Sequence, residues 1–82
     1  MTGIRDLIAQ TRLDPDVLIR ATLTGLTWHV RKPLADAEIT TLGRLAEETD
    51  DSLLALPGLG QRRLDALRAE LERIAQEKGG PQ

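Results

Sequence analysis

The sequence predicts an all-α fold, a compact bundle of short helices, on three observations. Its apolar residues are overwhelmingly Leu, Ala and Ile, while Phe and Tyr are absent and Trp28 is the sole aromatic, so residues that favour a pleated sheet are scarce. Leucines and isoleucines recur at spacings of three and four, the period of a helix that buries one face. Proline and glycine fall between these periodic runs, where they mark turns.

Ile4, Leu7 and Ile8 share one face, which predicts a first helix over Thr2 to Arg12 with a soft end. Asp14-Pro15-Asp16 reads as a helix start: Asp14 can cap free amides, Pro15 suits the first helical position and Asp16 complements the helix dipole. A second helix is expected from about Pro15 to Leu23, closed by Gly25 in the left-handed conformation. In Leu26 to Ile39, Trp28 and Val30 look strand-like but Pro33 to Ala37 looks helical; a helix with Pro33 in or near its first turn reconciles them, because an interior proline costs about 3 kcal/mol. Thr40 or Thr41 then caps a short helix that buries Leu42, Leu45 and Ala46. Thr49-Asp50-Asp51-Ser52 caps another, Leu53 to Leu56, which Pro57 stops. From Gln61 onward Leu64, Leu67, Leu71 and Ile74 define the longest helix, ended by Gly79-Gly80-Pro81. The expected core is Leu42, Leu45, Leu53, Leu56, Leu64, Leu67, Leu71 and Ile74.

At 82 residues the chain has room for one small domain, which buries only about 60% of its unfolded surface. It contains no cysteine, so no disulfide framework or thiolate metal site reinforces it, and one histidine with scattered carboxylates is not a zinc ligand set. No metal or cofactor is expected. No apolar run approaches the roughly 20 residues of a membrane span, and Arg5 and Asp6 interrupt the stretch a signal peptide would need, so a cytoplasmic location without membrane contact is expected. The excess of Arg over Lys, with abundant Ala and Leu, suits a GC-rich bacterial gene. A net charge of -2 argues against a simple polycationic binder, which moves the question to where the charges sit.

The most informative segment is Leu53 to Leu64, LLALPGLGQRRL. A short helix ends at Pro57, two glycines permit backbone geometry denied to other residues, and a longer helix opens with cations in its first turn. The amides of Leu59, Gly60 and Gln61 would then face outward at the positive end of the helix dipole, a setting for a phosphate oxygen, with Arg62 and Arg63 beside it. Arg63 is expected to point along the helix toward solvent. Leu59 is apolar and anchors the turn to the core. The segment resembles a helix-hairpin-helix motif, although Pro-Gly-Leu-Gly would serve equally as a plain tight connection between helices.

Upstream the resemblance narrows. Leu26-Thr27, Leu34, Ile39, Leu42-Gly43-Arg44-Leu45, Thr49, Leu53-Leu54, Leu56-Pro57 and Leu59-Gly60 fall in the order and spacing of the C-terminal domain of the bacterial RNA polymerase α subunit, over about Leu26 to Ile74. The resemblance implies a helical bundle that binds the minor groove of A/T-rich promoter DNA and contacts activators and σ factor. Its DNA contacts come from the start of the first helix and from the hairpin with the start of the last helix. The family's principal minor-groove arginine falls on His29, its following asparagine on Lys32 and the cysteine after that on Pro33. Gly60 matches the glycine whose amide meets phosphate, Arg62 stands at a lysine, Arg63 at a serine and Ala66 at a glutamate. The hairpin half is thus kept or made more basic, whereas the first-helix half changes, histidine being a weaker cation than arginine; Arg31 is a candidate replacement.

The expected domain layout is an N-terminal helical extension over 1–25, the helix-hairpin-helix domain over 26–78 and a flexible tail over 79–82. The candidate DNA-binding residues are His29, Arg31, Lys32, Gly58, Gly60, Gln61, Arg62 and Arg63. Trp28, without aromatic neighbours, reads as a packing residue and not a base-stacking one. Glu47, Glu48, Asp50 and Asp51 read as a solvated, helix-capping face. No Ser-His-Asp, Cys-His or paired buried carboxylate arrangement can be assembled, so no enzymatic activity is expected. The expected function is a DNA-binding, transcription-associated module. The alternative is a protein-interaction module whose acidic face or N-terminal helices bind a polymerase subunit, a regulator or itself, the last as a weak homodimer through residues 1–25.

Overall fold

In the computed structural model, which describes residues 3–79, six helices carry the fold and no described residue lies in a strand. The expected helix start at Thr2 lies outside the described residues, as does the expected tail over 79–82 apart from Gly79, which is the last residue of α6. Helix α1 (Ile4–Thr11) buries Ile4, Leu7 and Ile8 and packs along α6 (Gly60–Gly79), the longest helix at 20 residues, or about 30 Å. Arg12 closes α1 in the left-handed conformation (φ 59). At the other end Asp50 accepts a hydrogen bond from the Ile4 amide at 3.1 Å and holds Arg68 of α6 with its second oxygen. One carboxylate therefore ties the first helix to the last.

The expected second helix shrinks to α2 (Ile19–Thr22). Asp14 does accept an amide, from Asp16 at 2.8 Å, but this makes a local turn and not a helix start. The reason is competition from residues 40–43: Ile19 donates to Thr40, Leu42 to Val17 and Gly43 to Pro15, with an isolated antiparallel bridge between Leu18 and Thr41. Backbone groups that would have formed an intrahelical ladder are already used. Gly43 permits that approach, since a Cβ there would come within 2.9 Å of Pro15 Cβ and 3.1 Å of its carbonyl oxygen. Gly25 is not left-handed, contrary to expectation, because among the described glycines only Gly58 and Gly60 have positive φ. Its backbone instead lies against Glu70, whose Oε2 accepts the Gly25 amide at 2.8 Å.

Helix α3 (Trp28–Asp36) starts five residues earlier than the proline suggests, so Pro33 sits in its interior and is buried. Thr27 provides the start by accepting the Val30 and Arg31 amides on its carbonyl. The helix ends with Glu38 at φ 63, where Glu38 donates to Ala35 and Ile39 to Leu34, the paired bonds of a Schellman closure with glutamate at the position glycine prefers. Thr41 caps α4 (Leu42–Leu45) through Arg44 N at 3.2 Å. Thr49 and Ser52 form a reciprocal capping box on α5 (Asp50–Leu54), which therefore begins and ends earlier than Leu53 to Leu56.

Every expected core residue is buried except Leu56, which is half-buried against the cluster. Ile4, Leu7, Ile8, Ile19, Leu23, Leu26, Val30, Leu34, Ile39 and Leu59 complete the same core, so residues 3–25 share it with the rest of the chain. The radius of gyration is 11.6 Å, close to the roughly 12 Å of a close-packed chain of this length. No described helix is long and apolar enough to cross a membrane.

Candidate functional site

The turn between α5 and α6 is shaped by Gly58 (φ +86) and Gly60 (φ +74), conformations that cost other residues about 1–2 kcal/mol. Leu59 between them is 2% exposed and anchors the turn, as its apolar character predicts. Its amide does not face outward, however: it donates to the Leu56 carbonyl at 3.2 Å and closes the turn. The amides of Gly60 and Gln61 have no partner among the described residues and open the first turn of α6, where the helix dipole is positive. The two glycines differ in surroundings. A Cβ at Gly58 would lie 3.6 Å from Pro33 Cγ, whereas a Cβ at Gly60 would meet nothing within 4 Å. The backbone at Gly60 is thus open to close approach from outside.

The cations here are deployed unequally. Arg62 is exposed and makes no ion pair among the described residues. Arg63 is half-buried and bends back to donate to the Gly58 carbonyl, so it does not run out along the helix as expected. That contact is with a neutral group and leaves the positive charge unpaired. Gln61 is engaged along the helix with Asp65 at 2.8 Å.

Helix α3 brings the second segment to the same place. Trp28, His29, Lys32 and Pro33, together with Asp36, meet Pro57, Gly58 and Arg63 around a concavity of about 170 Å³. Lys32 is paired with Asp36 at 2.8 Å, an i,i+4 pair that offsets its charge. Its Nζ also lies 5.9 Å from the centre of the Trp28 ring. Trp28 itself is 59% exposed, which overturns its reading as a packing residue: it occupies the first turn of α3, on the side away from Val30 and Leu34.

Arg31 does not join this surface. It lies across α3, beside a separate groove of about 380 Å³ formed with Leu18, Ile19, Arg20 and Leu34, and its buried Nε has no hydrogen-bond partner. A two-residue step on a helix turns a side chain by about 200°, so His29 and Arg31 face different ways. The acidic residues are largely occupied. Glu48 accepts from Arg44 and Ser52, both at 2.6 Å, and the Ser52 and Arg44 hydrogen bonds hold its carboxyl below the usual carboxylate range. Asp50 binds Ile4 and Arg68.

Glu70 sets the entry to α3 from a distance. It is 8% exposed, and its pairing with Arg73, followed by its acceptance of the Gly25 amide, lowers its pKa against the opposing effect of burial. Nothing local to Gly25 announces this partner 45 residues away. By contrast the Lys32 and Asp36 spacing is a legible signal that sequence reading passed over. No family model, curated protein or solved structure matches the chain.

Proposed function

We propose that the chain is a small DNA-binding, transcription-associated module that grips double-stranded DNA through a helix-hairpin-helix, in the manner the resemblance to the polymerase α C-terminal domain implies. The observation that carries this reading is the open backbone at Gly60, a left-handed glycine at the start of a 20-residue helix with Arg62 and Arg63 alongside. A phosphate oxygen there receives the Gly60 and Gln61 amides and the field of α6. Arg62 and Arg63 supply net charge, while His29, Lys32 and Trp28 line the neighbouring concavity and lie toward the minor groove. The tight-connection reading explains the two glycines but not the cations around the open one.

A second reading, a protein-interaction module, draws support from the groove beside Arg31, where Leu18 is 39% exposed and the arginine carries an unsatisfied buried donor. The acidic face gives that reading less, since Glu48 and Asp50 are committed within the fold. The two are separated by following backbone amide shifts during titration with a short A/T-rich duplex. DNA binding predicts shifts concentrated at residues 28–33 and 58–63. Shifts absent at low salt overturn it, and shifts confined to residues 18–20 and 39–41 place the binding surface elsewhere.

A further inference from the structure

Single exposed apolar side chains are ordinary, so the exposure of Trp28 alone carries nothing; its position does. The indole stands at the edge of the concavity that also holds His29, Lys32, Gly58 and Arg63, with Pro33 and Pro57 as its apolar lining. Apolar surface here lies among polar and charged groups, Lys32, Arg63 and the Asp36 carboxylate, a mixture that binding surfaces share. The His29 ring meets the indole edge-on, centroids 5.5 Å apart and planes at 72°, and Lys32 stands at 5.9 Å. With only two side-chain torsions, a tryptophan loses little conformational entropy when it is covered. On the α3 side of the surface, meanwhile, the lysine is paired with Asp36, so net charge there is small and the exposed indole is the larger feature.

We infer that Trp28 is an affinity determinant for duplex DNA, laying its ring against sugar and base edges in the minor groove beside the phosphate held at Gly60. The inference rests on the DNA-binding reading above and deepens it. It divides the work: Arg62 and Arg63 carry the part of affinity that salt screens, and Trp28 carries a part that salt leaves alone, because covering an apolar ring releases no counterions.

The single tryptophan makes this directly measurable in the intact chain. Binding of a short A/T-rich duplex is followed at several salt concentrations for the wild type, Trp28→Ala and Trp28→Phe, along with acrylamide quenching of the wild-type emission. The expected result is an affinity about five-fold or more lower for Trp28→Ala at every salt concentration, the loss expected when about 40 Å² of apolar ring surface is covered. The dependence on log salt stays parallel to the wild type. Trp28→Phe falls between the two, and DNA shields the wild-type indole from acrylamide. If the duplex binds with its salt dependence intact while Trp28→Ala binds equally well and the indole stays accessible, the role of Trp28 is overturned and the DNA-binding reading stands. If no duplex binds at low salt, both fall together. Parallel melting curves for the three proteins show that the fold is not the variable.

Discussion

The two halves of the candidate surface are built in opposite ways. The hairpin half is local: Leu59 closes on Leu56, Arg63 bends back to Gly58, and both glycines sit within three residues of each other. The α3 half depends on distant contacts: its entry is held by Glu70, 45 residues from Gly25, and its buried Pro33 lines the same concavity as Pro57 and Gly58. Their chemistry differs too, since the hairpin keeps two uncompensated arginines while α3 offers a neutralised lysine and an exposed indole. A surface encoded within a dozen residues can be read from them, and one encoded by tertiary contacts cannot.

The largest expected effect tests the hairpin's anchor. Leu59→Ala removes a side chain buried to 2% and should lower unfolding free energy by about 2–5 kcal/mol, whereas Trp28→Ala should leave it within about 0.5 kcal/mol. Denaturant titration of both variants checks this, and equal losses would dissolve the contrast between an anchoring and a displayed residue.

Next in size is the acid response of the α3 entry. The unfolded chain protonates Glu70 at a higher pH than the folded chain, so the stabilisation is complete above about pH 4.5 and is lost as pH falls through the lowered folded value. Glu70→Gln should flatten that acid limb and cost about 1.5–3 kcal/mol at neutral pH, as expected for a hydrogen bond to a charged group. Amide exchange should rise first around residues 25–28, not in the hairpin. Protection lost first at residues 57–60 would reverse the assignment of local and distant support.

Two of the left-handed backbone positions, Gly60 and Glu38, give opposite signs on substitution. Gly60→Ala should cost about 1–2 kcal/mol through its left-handed backbone alone, because its Cβ points into open space. Glu38→Gly should add about 1 kcal/mol by relieving the same strain at the end of α3. Thermal melts of the pair decide whether both closures obey backbone geometry.

Much of this organisation was legible in the sequence. The leucine period located α6, the cap of α4 was narrowed to Thr40 or Thr41 and that of α5 to the run Thr49 to Ser52, and Pro57 to Gly60 marked the hairpin with Leu59 as its anchor. Asp14-Pro15-Asp16 misled because its local turn is not extended into a helix where the backbone of residues 15–19 pairs with residues 40–43, which no local pattern records. Pro33 misled for a related reason: its cost as an interior residue is offset where its ring is buried beside the hairpin. Trp28 shows the reverse error, composition placing a lone tryptophan inside where the helix face it occupies turns outward. For Arg31, the two-residue step from His29 already implied another face once the helix start at Trp28 was fixed.

The dependence of duplex affinity on salt reads the charge of this surface directly. With Lys32 paired to Asp36, Arg62 and Arg63 are the uncompensated arginines of the surface, and two released counterions give a slope of log affinity against log salt of about -2. Arg62→Ala should reduce that slope by about 0.9 without shifting the melting midpoint, and Asp36→Asn should steepen it by about the same amount while tightening binding. Affinity indifferent to salt, or a slope unchanged when Arg62 and Arg63 are both replaced by alanine, would leave the hairpin as no more than a connection between two helices.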